Sequence, residues 1–246
     1  MIIQDYSEHI ENFENYLKSK LASIDEISGD NKVLFKKILY VSFLDSLSSC
    51  VYPGRGNKER FVSMLERFSK WEDRDRVSLP HLGQFVQITS DPLLEQARKY
   101  VTPKLKTWQE RSAHVISISE DPKIDEIEDK SWKTNKETGI HVSLTDFKHI
   151  SLLYQLRNAL VHQFQSRGDE MGNLRQLDHP YYQRVQIFDG TLADMKPVRF
   201  ELVYPTQFLK SLSEKTLENV IDYLKDGNIN PFPHYYAGDY WITELN

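Results

Sequence analysis

Hydrophobic positions recur at helical spacing through most of the chain. Tyr6, Ile10, Phe13, Leu17, Leu21 and Ile24 fall every three or four residues and predict a first amphipathic helix. The polar stretch Gly29-Asp30-Asn31 ends it. Residues 32–51, KVLFKKILYVSFLDSLSSCV, are apolar on more than one side, so this helix belongs in the middle of a bundle. Pro53 and Gly54 stop it. Residues 57–71 predict a third helix with Phe61, Met64, Leu65 and Phe68 on one face. The charged run 72–76 then reads as a solvated helix end or loop. Ser78 ahead of Leu79 and Pro80 has the form of an N-cap with proline in the first turn. Residues 91–111 predict another helix, bent or ended near Pro103.

From 117 to 141 the period fails, and this acidic, then mixed stretch is expected to be an exposed insertion. Ser143-Leu144-Thr145-Asp146 carries the S-x-x-D pattern of a helix start, and the helix it opens should end near Gly168. Residues 181–188 and 196–205 are strand-like and are separated by the turn signal at 189–195, which predicts a β-hairpin. Residues 206–225 predict a last amphipathic helix through Phe208, Leu212, Leu217, Val220, Ile221 and Leu224. The aromatic, proline-rich tail from Asn230 should lie against the body as irregular chain. The expected fold is mainly α. An up-down helical bundle occupies 1–168, and residues 169–246 add a small β-hairpin, an extra C-terminal helix and the tail.

The 246 residues allow one large domain or two small ones. With 39% hydrophobic and 27% charged residues the composition is that of a soluble globular chain. The formal net charge of −5 argues against a broadly basic nucleic-acid coat protein, although a small RNA-processing site needs no such surface. Cys50 is the single cysteine, so no internal disulfide and no thiol cluster for zinc can form, which fits a cytoplasmic setting. No apolar run approaches the ~20 residues of a membrane helix. Histidine spacing offers no metal-binding motif, and neither a phosphate-binding glycine loop nor a dinucleotide fingerprint is present. No cofactor is expected.

The anomaly is residues 156–164, LRNALVHQF. At about 100° per residue, Ile150, Leu153, Leu160 and Phe164 share one narrow arc, and Arg157 falls inside it. Ser151, Gln155, Asn158 and His162 lie on the polar side, with Asn158 and His162 four apart and so neighbours. Arg157 and His162 are about 140° apart on a regular helix. A bend, a long reach by Arg157 or a second surface is needed to bring them together. A packed arginine also needs an acid, since an unpaired buried charge is costly. Asp45 is the expected partner, because it interrupts the most apolar helix and is flanked by Ser46, Ser48 and Ser49, which would allow close helix approach.

With Arg157, Asn158 and His162 as R-N-x-x-x-H near the end of a bundle helix, after a long apolar helix with an internal acid, the chain resembles the HEPN superfamily. Its members are small α-helical bundles with an R-x4–6-H signature, often with a polar residue after the arginine. The resemblance covers roughly residues 1–168. Many members carry tyrosine two places after the histidine, where Phe164 stands here.

The resemblance implies a metal-independent endoribonuclease that leaves a 2′,3′-cyclic phosphate. His162 would be the acid/base, Arg157 the phosphate clamp, Asn158 the orienting residue and Asp45 the support for Arg157. It also implies a homodimer whose motif helices face each other, RNA as substrate, a defence or toxin-like setting and an antitoxin-like protein partner. The alternative is a non-catalytic module that binds RNA or nucleotide, or only dimerises. Weaker nucleic-acid candidates are Arg55 and Lys58 in PGRGNKER at 53–60, and Lys104, Lys106 and Trp108 in KLKTWQER at 104–111, the tryptophan as a stacking ring. Tyr181 and Tyr182 beside His179 could also stack bases, or simply pack the hairpin.

Overall fold

A computed structural model describes residues 5–134, 140–166, 177–186 and 198–235. They form two compact units. One comprises residues 1–71, 157–165 and 206–246, the other 72–156 and 166–205.

In the first unit, α1 (Ser7–Asp25) buries Ile10, Phe13, Leu17, Leu21 and Ile24, the stripe that its spacing puts on one side. α2 (Lys32–Val51) packs on α1, on α3 (Asn57–Phe68) and on α8 (Thr206–Gly227). That central place accounts for its broad apolar surface. Leu44 and Leu47 are at most 1% exposed, and each such burial contributes about 1.5–3 kcal/mol. α3 buries Phe61, Met64, Leu65 and Phe68, and α8 buries all six residues of its expected stripe. The tail from Asn230 to Tyr235 lies on α1, with the Phe232 and Tyr235 rings 6.1 and 5.1 Å from Phe13.

A single border at 168 is therefore replaced by borders at 71/72, 156/157, 165/166 and 205/206. The physical reason is α8, whose apolar face is covered by α1, α2 and α3. The C-terminal helix belongs to the bundle core.

In the second unit, α4 (Leu79–Ile88) packs closely on α5 (Glu95–Glu110). Gly83 permits this approach, since a Cβ there would lie 2.1 Å from Leu105 Cδ1. Ser78 caps α4 as expected, and Pro103 sits inside α5 without ending it. Three antiparallel strands, β1 (Val115–Ser117), β2 (Tyr181–Val185) and β3 (Arg199–Val203), pair in the order β1-β2-β3, with Tyr182 opposite both Ile116 and Leu202. The expected hairpin is the β2–β3 pair, and its turn at 189–195 lies outside the described residues.

The expectation of an exposed insertion at 117–141 is corrected. Ile118, Asp121, Ile127, Trp132 and Ile140 are buried there, and Ser117 belongs to the sheet. The stretch is built from short pieces, including α6 (Ile124–Ile127), each too brief to show a period. The S-x-x-D signal at 143–146 is also used differently. The Asp146 carboxylate accepts from the Ser143 N–H and hydroxyl at 3.0 and 2.8 Å, and this opens a 3-10 turn at Leu144–Phe147. α7 (His149–Gln163) begins after that turn and ends five residues before Gly168, with Phe164 at φ +52°. Phe164 is 65% exposed, so it is not part of a buried stripe.

A buried polar cluster organises this unit. Asp121, 1% exposed, accepts the Leu79 N–H on Oδ1 at 3.0 Å. Its Oδ2 lies 2.6 Å from the Tyr182 hydroxyl and 2.8 Å from His149 Nε2. Tyr204 donates its hydroxyl to the His149 carbonyl at 2.9 Å, and Ser78 Oγ joins Tyr182 and His81 Nδ1, each at 2.7 Å. Burial, then the Asp121 carboxylate, pushes the Tyr182 and Tyr204 hydroxyls well above the usual phenol range.

Burial, then the imidazole of His149, brings His81 down from 6.5 to about 4. The folded form thus holds His81 uncharged where the unfolded chain would charge it. Stability should be full above pH 6.5 and should fall as the pH drops toward 4, by roughly 3 kcal/mol at about 1.4 kcal/mol per unit. Urea titrations at pH 7 and pH 4.5 should show this loss, and His81→Asn should show a smaller one. Equal losses in both proteins would remove His81 as the cause.

Candidate functional site

The site lies in the first unit, on the last turns of α7. Asp45 on α2 and Arg157 on α7 meet as expected. Arg157 Nη2 donates to Asp45 Oδ2 at 2.6 Å, with the side chains only 9% and 14% exposed. Ser48 and Ser49 turn their hydroxyls back onto the Asp45 carbonyl, at 2.7 and 3.2 Å, so they add no polar demand of their own at the interface.

The same guanidinium organises the polar side of α7. Nη1 donates to Asn158 Oδ1 at 3.0 Å and lies 3.3 Å from His162 Nε2. Because a guanidinium can only donate, His162 Nε2 is the acceptor, and the proton of the neutral ring is on Nδ1. Of the routes open to these groups across about 140° of helix, reach by the long Arg157 side chain within one chain is the one observed. His162 is exposed, while Asn158 is partly buried.

A residue the sequence reading passed over completes the group. Arg60, the last residue of PGRGNKER, places Nη2 3.5 Å from Asp45 Oδ2, so two guanidiniums share one carboxylate oxygen. Asp45 Oδ1, Arg60 Nε and Arg157 Nε are buried without a hydrogen-bond partner among the described residues. The only signal for Arg60 in the sequence was its place in a basic run.

The weaker candidates are not gathered here. Arg55 lies 4.5 Å over the Tyr52 ring and 3.2 Å from Ser63 Oγ, which is the behaviour of a solvated turn. Lys58 is exposed near the start of α3. Lys104, 4.8 Å over the Tyr100 ring, and Lys106 are exposed in the other unit. Trp108 is 4% exposed and packs on Tyr182 and Phe200, with ring centroids 5.6 and 5.8 Å away, so its faces are closed to a base. Tyr181 and Tyr182 are sealed in the same way, at most 1% exposed. No helix among the described residues is long and apolar enough to cross a membrane.

No protein-family model, no curated protein and no solved structure matches the chain.

The Asp45–Arg157 pair should carry stability as well as geometry. Removing one partner of a buried pair leaves an uncompensated charge. Arg157→Ala and Asp45→Ala should each lower unfolding stability by roughly 3 kcal/mol, whereas the apolar pair Asp45→Leu with Arg157→Met should recover part of it, since Arg60 then loses its contact with Asp45. Denaturant melts of the four proteins check this, and single variants that melt like the parent would show that the pair holds nothing.

Proposed function

We propose that the protein is a metal-independent endoribonuclease of the HEPN type, acting on RNA. The observation that carries this reading is an exposed imidazole held against a guanidinium whose other end is fixed by a partly buried carboxylate. Each group suits one step of phosphodiester transfer. When substrate arrives the 3.3 Å contact between His162 Nε2 and Arg157 Nη1 opens, and that imidazole nitrogen takes the proton of the ribose 2′-hydroxyl as the 2′ oxygen bonds to phosphorus. It returns that proton to the 5′ oxygen as the P–O5′ bond breaks. The products are a 2′,3′-cyclic phosphate and a free 5′-hydroxyl, with no water consumed. Arg157 holds the imidazole in the free protein and, once released from it, supplies positive charge beside the phosphorane. Asn158, bonded to Arg157, orients the ring or the ribose without adding charge.

The same reading includes two protomers with their motif helices facing, which would place two copies of the site on one twofold axis. It also includes a cytoplasmic setting, a defence or toxin-like role and an antitoxin-like partner. The competing reading is a module that binds RNA or nucleotide without cutting. The net charge of −5 favours it.

Single-stranded RNA incubated with the protein in EDTA should be cut to fragments ending in 2′,3′-cyclic phosphate. His162→Ala should slow this by about 100-fold or more with an unchanged circular-dichroism spectrum and melting midpoint. A 2′-deoxy residue at the scissile position should block it. A protein that binds RNA and cuts nothing is the non-catalytic module, and a His162→Ala variant that cuts at the parent rate ends the nuclease reading.

A further inference from the structure

Arg157 and Arg60 approach the same oxygen of Asp45, yet they are used in opposite ways. Arg157 commits its outer nitrogens to Asp45, Asn158 and His162. The Arg60 side chain makes no hydrogen bond among the described residues. Its one polar contact is the 3.5 Å approach to Asp45, its Nε is buried without a partner, and its side chain is 22% exposed. A buried Nε–H without an acceptor is unfavourable for folding, whereas the outer nitrogens are not sealed from solvent and are open to a ligand. Nor does α3 need it, since Phe61, Met64, Leu65 and Phe68 supply that helix's buried face. Two cations facing one carboxylate also leave the cluster with a surplus positive charge beside an exposed imidazole.

We infer that Arg60 is the substrate-binding cation of this site, taking the phosphate of a single-stranded RNA through its unused fork, while Arg157 acts as the positioning residue for His162 and Asn158. This rests on the reading of the site as one that receives RNA, but not on whether it cuts. The loose 3.5 Å contact of Arg60 with Asp45 gives way to a phosphate more readily than the 2.6 Å bond of Arg157. Paired hydrogen bonds to two phosphate oxygens suit the planar fork and do not suit an ammonium group. Asp45 stays with Arg157, so that guanidinium keeps its place beside the imidazole when substrate arrives.

The test uses a single-stranded RNA made uncleavable by 2′-deoxy substitution, so that binding is read apart from chemistry, with the intact RNA in parallel. Arg60→Gln should weaken binding about tenfold or more. It should also lower the slope of log affinity against log salt by about 0.7, the loss of one phosphate contact on a single strand. Arg60→Lys should recover the slope but only part of the affinity. The unfolding midpoint of Arg60→Gln should equal or exceed that of the parent, because a desolvated charge has been removed. Arg157→Lys should instead shift the His162 ring resonances in NMR spectra and reduce the cleavage rate more than the affinity. If the parent binds the uncleavable RNA without cutting the intact one, the nuclease reading fails and the Arg60 assignment is still decided by the binding data. Unchanged affinity and salt slope in Arg60→Gln would overturn the assignment. So would a loss of stability like that of Arg157→Ala, which would make Arg60 structural, or a parent protein with no affinity for RNA.

Discussion

A carboxylate in the middle of a helical bundle is the constraint from which the site follows. α2 touches three other helices and is apolar over most of its surface, yet carries Asp45. In so dry a place the carboxylate must meet a cation, and Arg157 is that cation at 2.6 Å. The choice of arginine matters. A planar guanidinium can hold a carboxylate with one nitrogen and still direct a second at Asn158 and His162. A lysine has one nitrogen on a flexible stem, and the imidazole would lose its tether. An exposed group is thus positioned by a buried one, with the arginine carrying the geometry between them.

The separation of Arg157 and His162 around the helix, about 140°, shows how far backbone angles can mislead for long side chains. Periodicity places Cα and Cβ atoms, whereas the chemistry sits at the end of a chain with four rotatable bonds. The two ends meet inside one protomer, so this contact needs no bend in α7 and no second copy. The contact therefore gives no argument for or against the pairing of two protomers.

The sequence was most legible where one face of a long helix meets one partner. α1, α3 and α8 bury the very residues their spacing selects, and the breadth of α2's apolar surface announced its central position. Residues 117–141 were opaque because their elements are three or four residues long, shorter than the period that would reveal them. The end of α7 was hidden by Phe164, whose apolar side chain continues the stripe although the backbone has already turned to φ +52°. The two units escaped notice because the first is assembled from three separate stretches, and α8 joins α2 across about 150 residues of chain. In the site, Asp45, Arg157, Asn158 and His162 came from type and spacing. Arg60 could not, since its meaning lies in a distance to Asp45 that no spacing encodes. Trp108 failed for the converse reason: a tryptophan among lysines reads alike whether its ring faces solvent or, as here, Tyr182 and Phe200.

The two units hold contrasting polar clusters, and the contrast separates architecture from chemistry. Around Asp121 both oxygens are engaged, by Leu79, Tyr182 and His149, and no atom of the Asp121–His149–Tyr182 group is left without a partner. Such a closed cluster fixes a core and has nothing left to offer a ligand. Around Asp45 one carboxylate oxygen and two guanidinium nitrogens are buried and without a partner among the described residues, and an imidazole stands in solvent at the edge. Folding gains nothing from leaving donors unused in that way. Polar groups that are withdrawn from water and not mutually satisfied are a standing cost, and here they lie beside an imidazole that water still reaches. By that criterion the incomplete cluster at Asp45, and not the complete one at Asp121, is the better candidate for a binding site.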